Sequence, residues 1–136
     1  MEHYVDLADI QSELEGLVAA QSSFPVQLII VPDIDEWAQT NAPQLPSSRW
    51  GLAIKDHSTR AAAIIVRQRF TKEQADTVVG RVAFSGVPNA FELLAAPKQF
   101  ARHLVLHELA HLENDWGQER EAECDRWAAE RLPDGA

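Results

Sequence analysis

His107-Glu108-Leu109-Ala110-His111 is the stretch of sequence around which the rest of this chain is organised. Two histidines four residues apart lie on one face of a helix, about one turn from each other, so both imidazoles can reach a single ion. The glutamate between them points partly to the same side and can hold a water against that ion. The pattern H-E-x-x-H on a helix therefore predicts a zinc-peptidase site in which His107 and His111 are ligands and Glu108 is the general base.

A third ligand is needed, because zinc in a hydrolytic site takes three protein ligands and leaves one position for water. It must come from another segment, since the same helix face offers no other ligand near enough. We expect Gly117 to end the helix and to let the chain reverse, so that the next helix runs back alongside the first. Four glutamates are then candidates for the third ligand: Glu113, Glu119, Glu121 and Glu123.

Length and composition predict one globular domain. The chain has 136 residues, of which 46% are hydrophobic and 24% charged, and such values are ordinary for a globular protein. No apolar run approaches the roughly 20 residues of a membrane span. The N-terminus lacks the basic start and apolar core of a secretory signal, so we expect a cytoplasmic protein that does not bind membranes. The single cysteine, Cys124, excludes an internal disulfide and is expected to be a small buried packing residue.

The net charge of −9 is unevenly distributed along the chain. Residues 1–48 carry eight acidic side chains and no Lys or Arg, residues 49–102 carry nine Lys or Arg against four acids, and residues 103–136 carry nine acids against three Arg. This balance excludes nucleic-acid binding by the whole surface. The basic middle is interpreted as a solvated face, with an acidic docking partner as the alternative.

The hydrophobic pattern predicts an α+β fold. Expected helices span about 6–21, 33–39, 71–84, 97–113 and 118–132, and expected strands span 26–31, 50–56 and 61–69. The strands would form a small, mostly antiparallel three-stranded sheet packed on one side by helices, with the H-E-x-x-H helix central and a ligand-bearing C-terminal helix after it. The stretch 61–69 alternates as a half-exposed strand does, so we predict that it is the edge to which an extended peptide adds.

The end of the chain carries a resemblance to a known family. His107-Glu108-x-x-His111 followed by Glu121-x-x-x-Asp125 resembles the gluzincin class of metallopeptidases. The run from Glu121 to Pro133 resembles the second-helix signature of the ImmA/IrrE-like family, roughly Glu-x-Glu-Ala-(Asn/Asp)-x-(Phe/aromatic)-Ala-x-x-Leu-Leu-x-Pro. The resemblance covers residues 98–133. Cys124 replaces the usual Ala, the stretch before Pro133 is one residue shorter, and the link between the two helices is short.

This resemblance implies a zincin-like zinc endopeptidase. It implies that Glu121 is the third zinc ligand and that Asp125, one turn further on, accepts the other N–H of a ligand histidine. It also implies a protein or peptide substrate, often a transcriptional repressor, that is cleaved in the cytosol.

Other side chains are weaker candidates for the site. His103, one turn before His107, would either line the cleft and stabilise the oxyanion or be a buried histidine packed beneath the site. His57 and Tyr4 are lesser candidates for the oxyanion role, and Trp116 is expected to be a core anchor.

Two rival functions come from other classes. One is a zinc-binding but non-proteolytic module that acts through a protein partner, for instance within a toxin–antitoxin pair. The other is a metal-free structural protein in which the motif is accidental. The sequence predicts neither the substrate's identity nor the oligomeric state.

Overall fold

The computed structural model describes residues 3–41, 50–56, 58 and 61–133. Its strands are β1 (Val5–Asp6), β2 (Gln27–Val31), β3 (Gly51–Lys55), β4 (Ala62–Arg67) and β5 (Arg69–Phe70). Its α-helices are α1 (Gln11–Gln21), α2 (Ile34–Asn41), α3 (Lys72–Phe84), α4 (Ala90–Leu93), α5 (Pro97–Asn114) and α6 (Glu121–Arg131). Short 3-10 segments, Leu7–Ile10 and Gln118–Arg120, precede α1 and α6. No helix in these ranges combines the length and apolar content needed to cross a bilayer.

A three-stranded sheet has the order β2–β4–β3. β2 runs parallel to β4, whereas β3 runs antiparallel to it, with Leu52 opposite Ile65. A separate antiparallel pair joins β1 to β5. The α+β class is confirmed. The expectation of a mostly antiparallel sheet is wrong for the three-stranded sheet, because β2 pairs with β4 in the parallel sense, and the segment between them, which contains α2 and β3, is long enough for the crossover that parallel strands need.

The strand predicted to be the edge is the centre of the sheet. β4 pairs on one side with β2 and on the other with β3, so the prediction that 61–69 is a free edge is wrong. Ile64, Ile65 and Val66 are fully buried, and a continuous apolar run is the pattern of a strand covered on both faces. The polar residues that suggested an edge, Arg67 to Arg69, lie where β4 ends. β3 is therefore an edge among the described strands.

Helices cover both faces of the sheet, not one. Ile64 and Val66 join the main core, which also contains apolar side chains of α1, α3 and α5. Ile65 points to the other face, where it forms a second cluster with Leu52 and with Ile34 of α2. Helix α2 therefore covers the face of the sheet to which Ile65 points. Helix α5 packs on the opposite face, where it contacts β3 and β4.

Capping side chains and a proline mark the starts of three helices. Thr71 and Gln74 form a capping box, in which the Thr71 hydroxyl accepts a hydrogen bond from the Gln74 N–H and the Gln74 side chain accepts one from the Thr71 N–H. The Asp33 carboxylate accepts a hydrogen bond from the Glu36 N–H at the start of α2. Pro97 occupies the first turn of α5. These caps satisfy N–H groups that the first turn of a helix leaves without intrahelical partners.

Helix α5 ends at Asp115, not at Gly117. Asp115 adopts the left-handed conformation (φ 52°, ψ 40°), and its N–H donates to the His111 carbonyl. Gly117 has φ −86° and ψ −168°, an extended conformation open to any residue. The prediction that glycine terminates the helix is therefore wrong, because aspartate also tolerates the left-handed region. The reversal that it was meant to explain does occur, and α6 packs against α5.

Replacing Thr71 by Ala should lower the free energy of unfolding by about 1 kcal/mol, because the capping box loses its side-chain acceptor. Urea unfolding followed by circular dichroism measures this loss. Thr77→Ala is the matched control, since Thr77 lies on the exposed side of the same helix, where Ala is the better helix former. Equal destabilisation by the two variants would contradict a role for the cap.

Candidate metal centre

Helix α5 carries the predicted zinc residues through the interior of the molecule. Every residue from Gln99 to Ala110 is buried, including the polar side chains of Arg102, His103, His107 and Glu108. Buried polar groups need partners, since an unpaired one loses the hydrogen bonds that water would give it. For the two histidines α6 supplies them, because it packs along α5 with Glu121 and Asp125 facing the rings. Arg102 instead donates to Gln99 and to Glu13 of α1.

Asp125 is the buried partner of two histidines. Its carboxylate is completely inaccessible to solvent, and Oδ1 lies 2.7 Å from His107 Nδ1 and 3.1 Å from His103 Nε2. Oδ2 accepts from Ser85 Oγ at 3.0 Å, and Arg81 Nε lies 3.9 Å away. These contacts lower the pKa of the Asp125 carboxyl against the opposing effect of burial, so it is a carboxylate. As an acceptor, it fixes the proton of His107 on Nδ1.

Both histidines of the motif direct Nε2 toward Glu121. His111 Nδ1 donates to the Trp116 carbonyl at 2.8 Å, just as His107 Nδ1 donates to Asp125. The Glu121 Oε2 atom lies 2.5 Å from His107 Nε2 and 3.3 Å from His111 Nε2. Of the four candidate glutamates, Glu121 is the one that meets both rings. Glu113 instead accepts from the N–H and hydroxyl of Ser23, and Glu123 pairs with Arg120.

The three atoms form a donor set that suits zinc. His107, His111 and Glu121 each offer one atom within 4.8 Å of the other two. Two imidazoles and a carboxylate are a usual ligand set for catalytic zinc, and ligands about 2.0 Å from a tetrahedral ion are about 3.3 Å apart. The His111–Glu121 separation has this value, while the 2.5 Å between His107 and Glu121 is a hydrogen bond that would have to open. A second cluster, His103, His107 and Asp125, is a hydrogen-bonded group in which His107 offers its other nitrogen.

Hydrogen bonds raise the pKa of both histidines of the motif. Burial opposes charge on His107, but its hydrogen bonds to Asp125 and Glu121 prevail and raise its pKa to about 10. Burial likewise opposes charge on His111, and contacts with Cys124, Glu121 and the Trp116 carbonyl raise its pKa to about 11. The same hydrogen bonds lower the pKa of Glu121 to about 2 despite its burial. Both histidines are thus charged at neutral pH and must lose a proton to bind a metal.

Glu108 lies at the boundary between this centre and a cleft. The cleft has a volume of about 470 Å³ and is bounded by the whole of β3, by Glu108, His111 and Glu121, and by the turn from Leu112 to Gln118. Glu108 is only 7% exposed, and burial raises the pKa of its carboxyl. A carboxyl group in such surroundings is a stronger base than one in water.

His103 does not line this cleft. It is 1% exposed and lies beneath His107, where its Nε2 meets Asp125. Burial lowers the pKa of its imidazole, so the ring is neutral, with Nε2–H as the donor to Asp125. Of the two alternatives for His103, its position agrees with the buried histidine packed beneath the site and not with a side chain that lines the cleft.

Other predicted residues have varied outcomes. The Tyr4 hydroxyl donates to the Ala95 carbonyl at 2.5 Å and does not border the cleft, and His57 lies outside the described residues. Cys124 is fully buried, as expected, and its side chain touches His111. Trp116 is not a core anchor: it is half-buried and lines the cleft.

Three contributors to the site were not identified from the sequence. Ser85 donates a hydrogen bond to Asp125, which lies 40 residues later in the sequence, and no local sequence pattern indicates such a contact. Gln118 borders the cleft from the turn between the two helices. Gly51 opens β3, and an isolated glycine in a strand pattern is a signal of close backbone approach that could have indicated its role.

Several cations in the basic middle of the chain pair with acidic side chains in the part that the structure describes. Arg69 pairs with Asp6, and Lys98 and Arg102 both pair with Glu13 of α1. Acidic side chains of the N-terminal segment therefore neutralise part of the basic segment within the fold. The alternative of an acidic docking partner gains no support from these three cations.

Replacing Asp125 by Asn should weaken zinc binding by about 10- to 100-fold, because an amide cannot accept hydrogen bonds from both sides as the carboxylate does. Competition with a chromophoric chelator measures the affinity. Asp76→Asn is the matched control, since Asp76 pairs only with Lys72 on the exposed side of α3. Equal zinc affinity in the two variants would show that Asp125 does not support the ligands.

Zinc affinity should rise steeply with pH. The pKa values of about 10 and 11 mean that His107 and His111 both carry a proton to be displaced between pH 6 and 8. Loss of two protons per ion raises the apparent affinity about 100-fold per pH unit. The same raised pKa values stabilise the metal-free fold below pH 6.5, and this stability is lost as the pH rises through about 10. Titration calorimetry in buffers of different ionisation enthalpy counts the released protons, and a count of zero would refute the protonated site.

Comparison of the whole chain with known proteins gives no relative on which to base an identity. No protein family, no curated protein and no solved structure matches it. The resemblance of residues 98–133 to the ImmA/IrrE-like family therefore stays a prediction, and function must be argued from the site.

Proposed function

We propose that this chain is a zinc-dependent metallopeptidase that hydrolyses a peptide bond in a protein substrate. The observation that carries the proposal is the convergence of His107 Nε2, His111 Nε2 and Glu121 Oε2 at the wall of a cleft that also contains Glu108. A structural zinc site has four protein ligands. In this cluster of the described residues three ligand atoms meet beside an accessible cleft, which is the arrangement of a catalytic site.

The chemistry divides between the ion and the protein. When bound, zinc would act as a Lewis acid that lowers the pKa of a water to about 7 and polarises the scissile carbonyl. Glu108 takes the proton of the attacking water and later delivers it to the leaving amine. Its burial supports this role, because a raised pKa lets one carboxyl serve as base and then as acid. Asp125 and the Trp116 carbonyl hold the two imidazoles in the required tautomer.

The shape of the cleft favours an extended peptide. β3 forms one wall along its whole length and pairs with β4 on its other side. A peptide that adds to the edge of a sheet is recognised through its backbone, with its side chains directed alternately to the two sides. The proposed substrate strand therefore runs along β3, in place of the β4 edge expected from the sequence. The free volume of about 470 Å³ has room for a few residues on this wall.

Glu108→Gln should keep the metal and lower the rate of peptide hydrolysis by about 10²- to 10⁴-fold, because the amide cannot accept the proton. The zinc-loaded protein is incubated with a proteome-derived peptide library, and new termini are identified by mass spectrometry. Zinc content is measured in parallel by atomic emission.

Two matched variants make the outcome decisive. Glu121→Gln should lose both zinc and activity, whereas Glu119→Gln, two residues earlier and exposed, should change neither. One zinc per chain with no cleavage by the wild-type protein or by Glu108→Gln would contradict the peptidase and favour the non-proteolytic zinc module. No bound zinc, and no loss of thermal stability with a chelator, would contradict both.

A further inference from the structure

Strand β3 and helix α5 approach each other most closely at Gly51. A Cβ atom placed on Gly51 would lie 2.7 Å from Glu108 Oε2 and 3.0 Å from both Cγ and Cδ of the same side chain. Carbon atoms in proteins do not approach a carboxylate this closely, so any side chain at position 51 would require Glu108 to move. The space that the missing side chain leaves is filled by the glutamate.

The conformation of Gly51 does not explain the presence of glycine. Its φ is not positive, and it lies in regular β-structure opposite Val66 of β4. Glycine in a strand also weakens it relative to residues with a side chain. The presence of glycine is therefore explained by the room that a side chain would need. The Glu108 side chain, which is 7% exposed between helix α5 and strand β3, already occupies that room.

The neighbouring positions of β3 show that this close approach is local. Leu52 packs in the second core cluster on the opposite face of the sheet, with Ile54 beside it. Lys55, at the other end of the strand, instead bears a full side chain that pairs with Asp115 and lies over the Phe24 ring. At Gly51 the wall of the cleft has no side chain, and the side chain of the proposed base occupies that space.

We propose that Gly51 is a positioning residue for the general base: its missing side chain forms the slot that holds the Glu108 carboxyl against β3 and beside His111 and Glu121. This inference rests on the proposed function for its catalytic consequence, but not for the steric coupling itself. A larger residue at position 51 would leave the three zinc ligands in place and move the base.

The steric coupling is tested by a double-mutant cycle in metal-free protein, read as melting temperature. Gly51→Ala should lower the melting temperature by about 4 °C or more in the wild-type background. In the Glu108→Ala background, the same change should cause no loss, because the clashing atoms are gone and alanine suits a strand better than glycine. Gly80→Ala is the matched control, since a Cβ there meets only Phe91, at an ordinary 4.0 Å. An equal loss of melting temperature in both backgrounds would overturn the proposal that Gly51 forms a slot for Glu108.

The catalytic consequence is tested on the zinc-loaded protein with any peptide that the wild type cleaves. Gly51→Ala should bind one zinc per chain, as the wild type does, and lower kcat at least tenfold with little change in KM. An unchanged kcat, or an increase confined to KM, would overturn the positioning role and make position 51 a contact of the substrate strand. If the wild type cleaves nothing, the peptidase proposal fails, while the double-mutant cycle still decides whether Gly51 holds Glu108.

Discussion

The structure of this site depends on one buried carboxylate. Asp125 is fully enclosed, and it joins three helices, since it accepts hydrogen bonds from His103 and His107 of α5 and from Ser85 at the end of α3. A buried charge without partners would destabilise the fold by several kcal/mol, so these contacts are a condition of the packing and not an addition to it. Because Glu121 precedes Asp125 by one helical turn, anchoring Asp125 also brings Glu121 to the Nε2 atoms of both ligand histidines.

The same arrangement matches opposite charges across a cluster of five titratable side chains. Two charged histidines, His107 and His111, lie between two carboxylates, Glu121 and Asp125, while the neighbouring His103 stays neutral. Opposite charges therefore alternate in space, and each N–H has an acceptor. A proton on each Nε2 occupies the direction in which a metal ion would bind. The donor atoms of the proposed zinc site are consequently close together, and the reorganisation that zinc binding would need is limited to loss of protons and a small opening between His107 and Glu121.

Much of this was predictable from the sequence because it is local. The spacing of His107 and His111, and of Glu121 and Asp125, is fixed by the helical repeat, and the short link between the two helices permits only an antiparallel return. The predictions failed where long-range pairing decides. The central position of β4 in the sheet depends on its pairing with β2, which lies more than 30 residues earlier. The polar residues at the end of β4 led to the prediction of a half-exposed strand, whereas the strand is buried on both faces. His103 had the correct periodicity for the cleft, but its fate depended on where Asp125 came to lie.

Glu108, the proposed general base, marks the limit of local prediction. Glu108 is a member of the motif, yet its surroundings are not, since the strand that confines its carboxyl lies more than 50 residues earlier. Helices α5 and α6 could form with any neighbour that buried their apolar sides, and the proposed ligands would still converge. The position of the Glu108 carboxyl is a separate requirement. It needs the backbone of strand β3 to lie close to helix α5 at Gly51. A motif search detects the first requirement alone. The second is met by a glycine, whose contribution is the space left by an absent side chain.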